Sequence, residues 1–222
     1  MKPLGAKATA VREALLADGL LAILRGFDRD GVARFVEGLL PAGIRFIEIT
    51  MEAGAFDTLR WLSQTYGDRL RAGAGTILTV DQAHMAIEAH AEYLVSPGLF
   101  LDVGEAAHAA DVLYLPGVTT PTEVGLALRA GLDLVKLFPA GLLGPDYLRA
   151  LRGPYPQLKA IAVGNMSFDR MEPMLRAGAV GIALGGSVFG RGKSEIPTSA
   201  QIEEAGRHAR ALIQTVRSPQ GA

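Results

Sequence analysis

Short apolar runs alternate along this chain with longer segments whose apolar residues recur at three- and four-residue steps. The short runs are LLAILRG (20–26), FIEIT (46–50), RAGAGT (71–76), YLVSPG (93–98), VLYLPG (112–117), LVKLFP (134–139), KAIAVG (159–164) and GIALGG (181–186). Most are continuously apolar rather than alternating, as expected of strands covered on both faces in a parallel sheet. Between them lie GVARFVEGLLPAG, TVDQAHMAIEAHA, TPTEVGLALRAG and SFDRMEPMLRAG, which have helical period, and several end in Ala-Gly, a natural helix stop. Thr79 with Gln82, and Thr120 with Glu123, have capping-box spacing. The least regular helical segment is LFLDVGEAAHAAD, which carries Gly104 in its interior. Eight strands, each followed by a helix, is the count that closes a barrel. The pattern therefore predicts an α/β fold, a single (β/α)8 barrel of the TIM type.

Length agrees with that count, because such barrels typically use about 250 residues and manage with about 200, and the chain has 222. The expected layout is one domain over 1–222. An N-terminal helix over 1–19 caps the barrel, and the strands and loops fill 20–190. A C-terminal helix covers 191–216, and a frayed tail covers 217–222. The opening MKPLGAKATAVREALLADGLLAIL has Arg12, Glu13 and Asp18 within its apolar pattern. It reads as an amphipathic helix leading into a strand, not as a signal peptide or membrane anchor. The first turn, RGFDRDG, has no GxGxxG, which argues against an open dinucleotide-binding sheet.

Charge narrows the partners. The formal net charge is −1, from 22 basic and 23 acidic side chains mixed along the chain. No basic patch points to nucleic acid or to an anionic membrane. Cysteine is absent, which removes disulfides, thiolate metal sites and cysteine nucleophiles and is compatible with the cytoplasm. No HxH, HExxH or carboxylate cluster suggests a metal, and no GxSxG suggests a serine hydrolase. The four histidines, His84, His90, His108 and His208, fall in helical segments away from strand ends.

In a barrel of this kind the active face is formed by the C-terminal ends of the strands and the loops after them. The polar residues expected there include Arg25, Glu48, Thr50, Thr76, Ser96, Thr119, Thr120 and Lys136. Glu48 sits between Ile47 and Ile49, and Lys136 between Val135 and Leu137. Burying either charge alone is costly, so each needs compensation. A structural ion pair is one solution. Catalysis is the other: an amine out of water more readily exposes the lone pair that attacks a ketone. A carboxyl nearby can then move protons around the resulting iminium. The loops GNMSF (164–168) and GGSVFG (185–190) follow the last two strands, where many barrels hold a phosphate on backbone N–H groups, and Ser187 adds a hydroxyl. Tight turns are the plainer explanation of their glycines. Arg25 is placed either to clamp a carboxylate or phosphate or to form a rim salt bridge.

Six segments then occur in an order that resembles a known family: EIT (48–50), GAGT (73–76), SPG (96–98), PGVTTPTE (116–123), KLFPA (136–140) and GGS (185–187). Together they resemble the bacterial 2-keto-3-deoxy-6-phosphogluconate aldolases and their galactonate and 4-hydroxy-2-oxoglutarate relatives, from about Leu20 to Gly190. LAILRG and GPDYLRALRGPYP look most like the branch that includes the 6-phosphogalactonate enzymes. The resemblance implies a homotrimer of (β/α)8 barrels that needs no metal or cofactor. It also implies cleavage of a keto acid to pyruvate and an aldehyde, usually glyceraldehyde 3-phosphate. Carried over by position, Lys136 is the Schiff-base lysine and Glu48 the proton-transfer residue. Thr76 and the SPG turn around Pro97 line the pyruvate pocket, and Phe138 packs against the pyruvyl group. Gly164, Gly185, Gly186 and Ser187 receive the phosphate.

Two positions depart from that pattern. Many members have arginine four residues after the glutamate, where it meets the substrate carboxylate; here that residue is Glu52. Either Arg25 or backbone donors take over its task, or the substrate differs. The usual Gly-Gly after the seventh strand is Gly164-Asn165. Three other readings therefore stand beside the phospho-sugar aldolase. One is an aldolase for an unphosphorylated keto acid such as 4-hydroxy-2-oxoglutarate. Another is a phosphate-binding isomerase or epimerase using Glu48 as base, and the last is a barrel that only binds a metabolite or partner.

Overall fold

The computed structural model describes residues 3–189 and 196–218. Among these residues nine parallel strands form one sheet: β1 (Leu20–Leu24), β2 (Phe46–Thr50), β3 (Arg71–Gly75), β4 (Tyr93–Val95), β5 (Leu113–Leu115), β6 (Gly117–Val118), β7 (Leu134–Leu137), β8 (Lys159–Ala162) and β9 (Gly181–Leu184). β5 pairs with β4 and β6 with β7. The two are halves of one stave, parted at Pro116, which has no N–H to give to a ladder. Its carbonyl still accepts from the Lys136 N–H at 2.9 Å, and the Gly117 N–H reaches the Gly98 carbonyl at 3.1 Å. Those bonds carry the ladder across the break, so nine strands make the eight staves of the predicted barrel.

The helices are α1 (Ala6–Asp18), α2 (Arg29–Leu39), α3 (Ala55–Tyr66), α4 (Val80–Glu88), α5 (Leu101–Ala109), α6 (Pro121–Arg129), α7 (Ala140–Leu143), α8 (Pro145–Arg152), α9 (Phe168–Arg176), α10 (Gly186–Phe189) and α11 (Ser199–Arg217). Thr120 and Glu123 form a complete capping box at α6. At α4 only half of the expected box forms: Thr79 accepts from the Gln82 N–H, but Gln82 Oε1 takes the Leu78 N–H instead. The irregular α5 is explained by its neighbour, since a Cβ at Gly104 would lie 3.0 Å from the Tyr114 ring. His90 lies past the end of α4, at φ 66°, not inside a helix. The C-terminal helix expected over 191–216 runs Ser199–Arg217. Residues 190–195 and 219–222, which held its expected start and most of the expected tail, lie outside the described residues. No helix among the described residues is long and apolar enough to cross a membrane.

Strand residues divide by parity between two cores. One parity, with Leu20, Ala22, Ile47, Ile49, Ala72, Ala74, Val135 and Leu137, packs against the helices. The other, with Leu21, Phe46, Tyr93, Val95, Leu113, Leu115, Leu134, Ile161, Val163 and Ala183, fills the barrel interior. Ala8, Val11 and Leu15 of α1 belong to the interior cluster, so α1 plugs the N-terminal end of the barrel. Gly5 gives this helix no side-chain cap. The Asp111 carboxylate supplies one from across the chain, accepting from the Lys7 and Ala8 N–H groups at 3.0 Å each. Arg12 adds a bond of 2.7 Å to Asp133. Closing that end leaves the opposite mouth as the route for water and ligand.

Candidate active site

Glu48 is the central residue of β2 and belongs to the inward parity, two residues after Phe46. Lys136 lies in β7, two residues after Leu134, on the same parity. On the ring of staves β2 and β7 are four steps apart in either direction, so the two side chains approach from opposite walls. They meet at a cavity of roughly 470 Å³ at the C-terminal mouth, whose lining includes both. Glu48 is 1% exposed and Lys136 7%. Among the described residues no ion pair joins them, so a structural salt bridge is not what keeps them there.

Room for the carboxyl comes from β3. A Cβ at Gly75 would lie 1.8 Å from Glu48 Oε1, and one at Gly73 would lie 2.2 Å from the Tyr93 ring. The two glycines of the GAGT segment thus leave a trough in the wall, filled by the carboxyl of one neighbouring strand and the phenol of the other. Burial pushes the Glu48 carboxyl above its usual pKa, and the charges of Lys136 and Arg25 pull it down only in part. The carboxyl therefore keeps a proton to higher pH than an ordinary glutamate, which suits a group that must both give and take one.

The amine faces an aromatic wall. Lys136 Nζ lies 5.1 Å from the centre of the Phe138 ring. That ring rests on Gly164, where a Cβ would come within 2.6 Å of it and where φ is +89°. Gly164 is thus required twice, by its backbone conformation and by the close approach of the ring. An aromatic face stabilises a nearby cation, whether an ammonium or an iminium.

At the rim, Arg25 donates to Thr76 Oγ1 at 3.0 Å and lies 3.8 Å from Glu52 Oε1. Thr50 Oγ1 bonds the Leu24 carbonyl at 3.3 Å and reaches Glu52 Oε1 at 3.5 Å. Glu52 therefore turns toward the guanidinium. Thr76 holds φ 62°, uncommon for a β-branched residue and a strain of about 1–3 kcal/mol.

Arg25, Glu48, Lys136, Phe138, Gly164, Gly185, Gly186 and Ser187 all line the one cavity. Thr76 touches it through Arg25. Pro97 is not among the residues lining that cavity; its turn packs on Gly117, the β6 residue in register with Lys136, where a Cβ would lie 2.3 Å from the Pro97 backbone. The Ser187 hydroxyl donates to the Met166 carbonyl, so its proton is directed away from an incoming anion. Asn165, the departure noted after the seventh predicted strand, lines the cavity too, and Ile23, Pro139, Leu142, Val163, Met166 and Ala183, none of them singled out from the sequence, complete the lining. Strand parity was the available signal for three of them: Ile23 lies two residues before Arg25, Val163 two after Ile161, and Ala183 two before Gly185. Tyr93 also escaped notice, although it heads a strand at the parity of Val95.

Comparison with known proteins gives the family. The sequence pattern described as "KDPG and KHG aldolase" matches residues 11–204. The chain is 28% identical over 200 residues to the 2-dehydro-3-deoxy-6-phosphogalactonate aldolase of Escherichia coli (strain K12), covering 89% of this chain and 94% of that one. It is 31% identical over 190 residues to the 2-dehydro-3-deoxy-phosphogluconate aldolase of Haemophilus influenzae, covering 85% and 88%. Among solved structures, a KDPG aldolase of Legionella pneumophila, with pyruvate captured at low pH as a covalent carbinolamine intermediate, superimposes with a TM-score of 0.74. It is 25% identical, and the match covers 92% of this chain and 97% of that one. The matched sequence pattern and these relatives show that the chain belongs to the KDPG and KHG aldolase family.

Proposed function

We propose that this protein is a class I aldolase. Its reaction is reversible cleavage of a 2-keto-3-deoxy-6-phospho-sugar acid, of the phosphogluconate or phosphogalactonate type, to pyruvate and glyceraldehyde 3-phosphate. The observation that carries the reading is one amine and one carboxyl projecting from opposite staves into a single cavity whose floor is sealed. The family supplies the carbon–carbon lyase chemistry, and the Legionella relative's covalent carbinolamine with pyruvate supports a lysine-linked route.

In this reading the Lys136 amine attacks C2 of the keto acid with its lone pair, and one nitrogen proton passes to the former carbonyl oxygen to give the carbinolamine. Glu48 delivers a proton to the carbinolamine hydroxyl, which leaves as water, and the nitrogen lone pair forms the C=N bond. Glu48, now a carboxylate, takes the proton of the C4 hydroxyl. The C3–C4 bond breaks, its electrons form the C2–C3 double bond, and the aldehyde departs. Glu48 then gives its proton to C3 of the enamine; water adds to C2 of the iminium and returns one proton to Glu48, and the C–N bond breaks as the hydroxyl proton passes to nitrogen, releasing pyruvate and the free lysine. Phe138 stabilises the cationic iminium with its ring face. Arg25 and Lys136 are the cationic side chains among the described lining residues, so Arg25 takes the substrate carboxylate, in competition with Glu52. With the Ser187 proton directed at Met166, a phosphate relies on backbone N–H groups of the loop after Val163 and on those of Gly186 and Ser187, because the Val188 and Phe189 N–H groups already donate to the Gly185 carbonyl. That arrangement also leaves an unphosphorylated keto acid as a second reading, and comparing rates on phosphorylated and unphosphorylated substrates separates the two. A homotrimer acting in the cytoplasm belongs to the same proposal; sedimentation of the purified protein tests the assembly.

The direct test is borohydride trapping. Incubation with pyruvate and borohydride is expected to add a stable reduced adduct to the peptide containing Lys136, and Lys136→Arg is expected to lose both adduct and turnover. A folded wild-type sample without an adduct removes the Schiff-base mechanism and favours the isomerase alternative.

A further inference from the structure

Among the described residues, two polar side-chain atoms inside the barrel have no hydrogen-bond partner: Glu48 Oε2 and the Tyr93 hydroxyl. Tyr93 is fully buried, and its ring is fixed by Phe46 at 5.8 Å between centroids. The phenol fills the space beside Gly73, and the Glu48 carboxyl fills the space beside Gly75. These are consecutive inward positions of β3, so donor and acceptor occupy adjacent seats on one strand. A buried hydroxyl and a buried carboxyl oxygen each cost free energy unless bonded. Internal water commonly joins such groups, making about three hydrogen bonds.

We propose that Tyr93 is a positioning residue for Glu48, its hydroxyl donating through one internal water to Glu48 Oε2, which aims the carboxyl and stabilises its charged form. The inference rests on Glu48 being the proton-transfer group of the aldolase reading. The charged or titratable groups facing Glu48 are Lys136 from β7, Arg25 from the end of β1 and Tyr93 from β4; β3 presents glycines. Burial opposes ionisation of Glu48, and Lys136 and Arg25 favour it. Burial, together with the negative charges of Glu48, Glu92 and Asp18, drives the Tyr93 phenol well above its ordinary range. The phenol therefore stays a neutral donor throughout the working pH range.

The test reads the carboxyl itself. Glutamate labelled with carbon-13 at Cδ is incorporated, the Glu48 signal is assigned by its loss in Glu48→Gln, and wild type and Tyr93→Phe are titrated without substrate. Loss of one donor is expected to raise the Glu48 midpoint by about one pH unit. The acid limb of the kcat/KM profile should move by the same amount. Coincident midpoints in the two proteins overturn the proposal. Should Tyr93→Phe not fold, the Tyr93 Cζ resonance of the wild type replaces it. A pH-dependent shift there that disappears in Glu48→Gln supports the coupling, and a resonance indifferent to Glu48 overturns it. Failure of the aldolase reading shows separately, as the lack of a borohydride-trapped adduct at Lys136, whatever the titration gives.

Discussion

A single methyl group on β3 tests the architecture of the site more sharply than removal of a catalytic side chain. Gly75 has an ordinary strand conformation, in register with Thr50, so alanine fits its backbone. Its Cβ would nevertheless sit 1.8 Å from Glu48 Oε1, 2.3 Å from Cδ and 2.4 Å from Cγ. Real Cβ contacts are not found below 3.0 Å, so Oε1 must retreat by roughly 1.2 Å. The Tyr93 ring fills the neighbouring seat below, which leaves the mouth as the direction of escape. Overpacking of this kind costs about 1–3 kcal/mol, within the roughly 5–15 kcal/mol that holds a domain folded, and the displaced group is the end of a flexible side chain. A misplacement of about 1 Å at a reacting group costs on the order of 100-fold in rate, or about 2.7 kcal/mol. Gly75→Ala is therefore expected to remain folded while kcat falls about 100-fold. Pyruvate release, coupled to lactate dehydrogenase and followed by NADH absorbance, measures this. Trapping of added pyruvate at Lys136 should still reach completion at long times, because the amine is untouched. A folded Gly75→Ala enzyme with turnover within about threefold of wild type refutes the claim that β3 sets the position of the carboxyl.

Two further predictions follow from electrostatics. Because burial raises the folded-state pKa of Glu48 above that of a solvated glutamate, the native state holds an extra proton between the unfolded and folded pKa. Stability from this group is then fully present below the unfolded pKa and is lost as pH rises through the folded one. Glu48→Gln is accordingly expected to melt at higher temperature than wild type near neutral pH, with the difference vanishing below about pH 4.5; a constant difference across pH, read by calorimetry, contradicts this. Glu52→Gln releases Arg25 from a partner 3.8 Å away on a half-exposed rim. An exposed pair is worth at most about 1 kcal/mol, so KM for the keto acid should fall roughly three- to fivefold with little change in stability. An unchanged or higher KM shows that Arg25 does not receive the substrate carboxylate.

The parts of this molecule that were legible in its sequence are those governed by short-range rules. Continuous apolar runs marked the strands, and Thr120 with Glu123 marked a helix start that formed in full. Lys136 and Glu48 stood out because charge inside an apolar strand demands a reason. What stayed hidden depended on long-range geometry. The split of the fifth stave at Pro116 is a property of the closing ladder, not of the run VLYLPG. Whether Ser187 turned its proton to a ligand or to the Met166 carbonyl was decided by a residue 21 positions away. Tyr93 read as an ordinary apolar strand residue, because a phenol does not betray in sequence whether its hydroxyl finds a partner.

Gly73 and Gly75 show where the two kinds of information meet. In the sequence they were part of a motif with no chemistry of its own. In the structure they are the absence of side chains that lets two neighbouring strands push an acid and a phenol into one stretch of wall. A carboxyl buried to 1% exposure needs a space shaped for it, and on a closed barrel that space can come only from missing atoms on an adjacent stave. The same logic places Gly164 beneath Phe138. The amine's aromatic wall and the carboxyl's trough are therefore both specified by glycines, and substitution at those positions should disable the chemistry while leaving Lys136 and Glu48 in the chain.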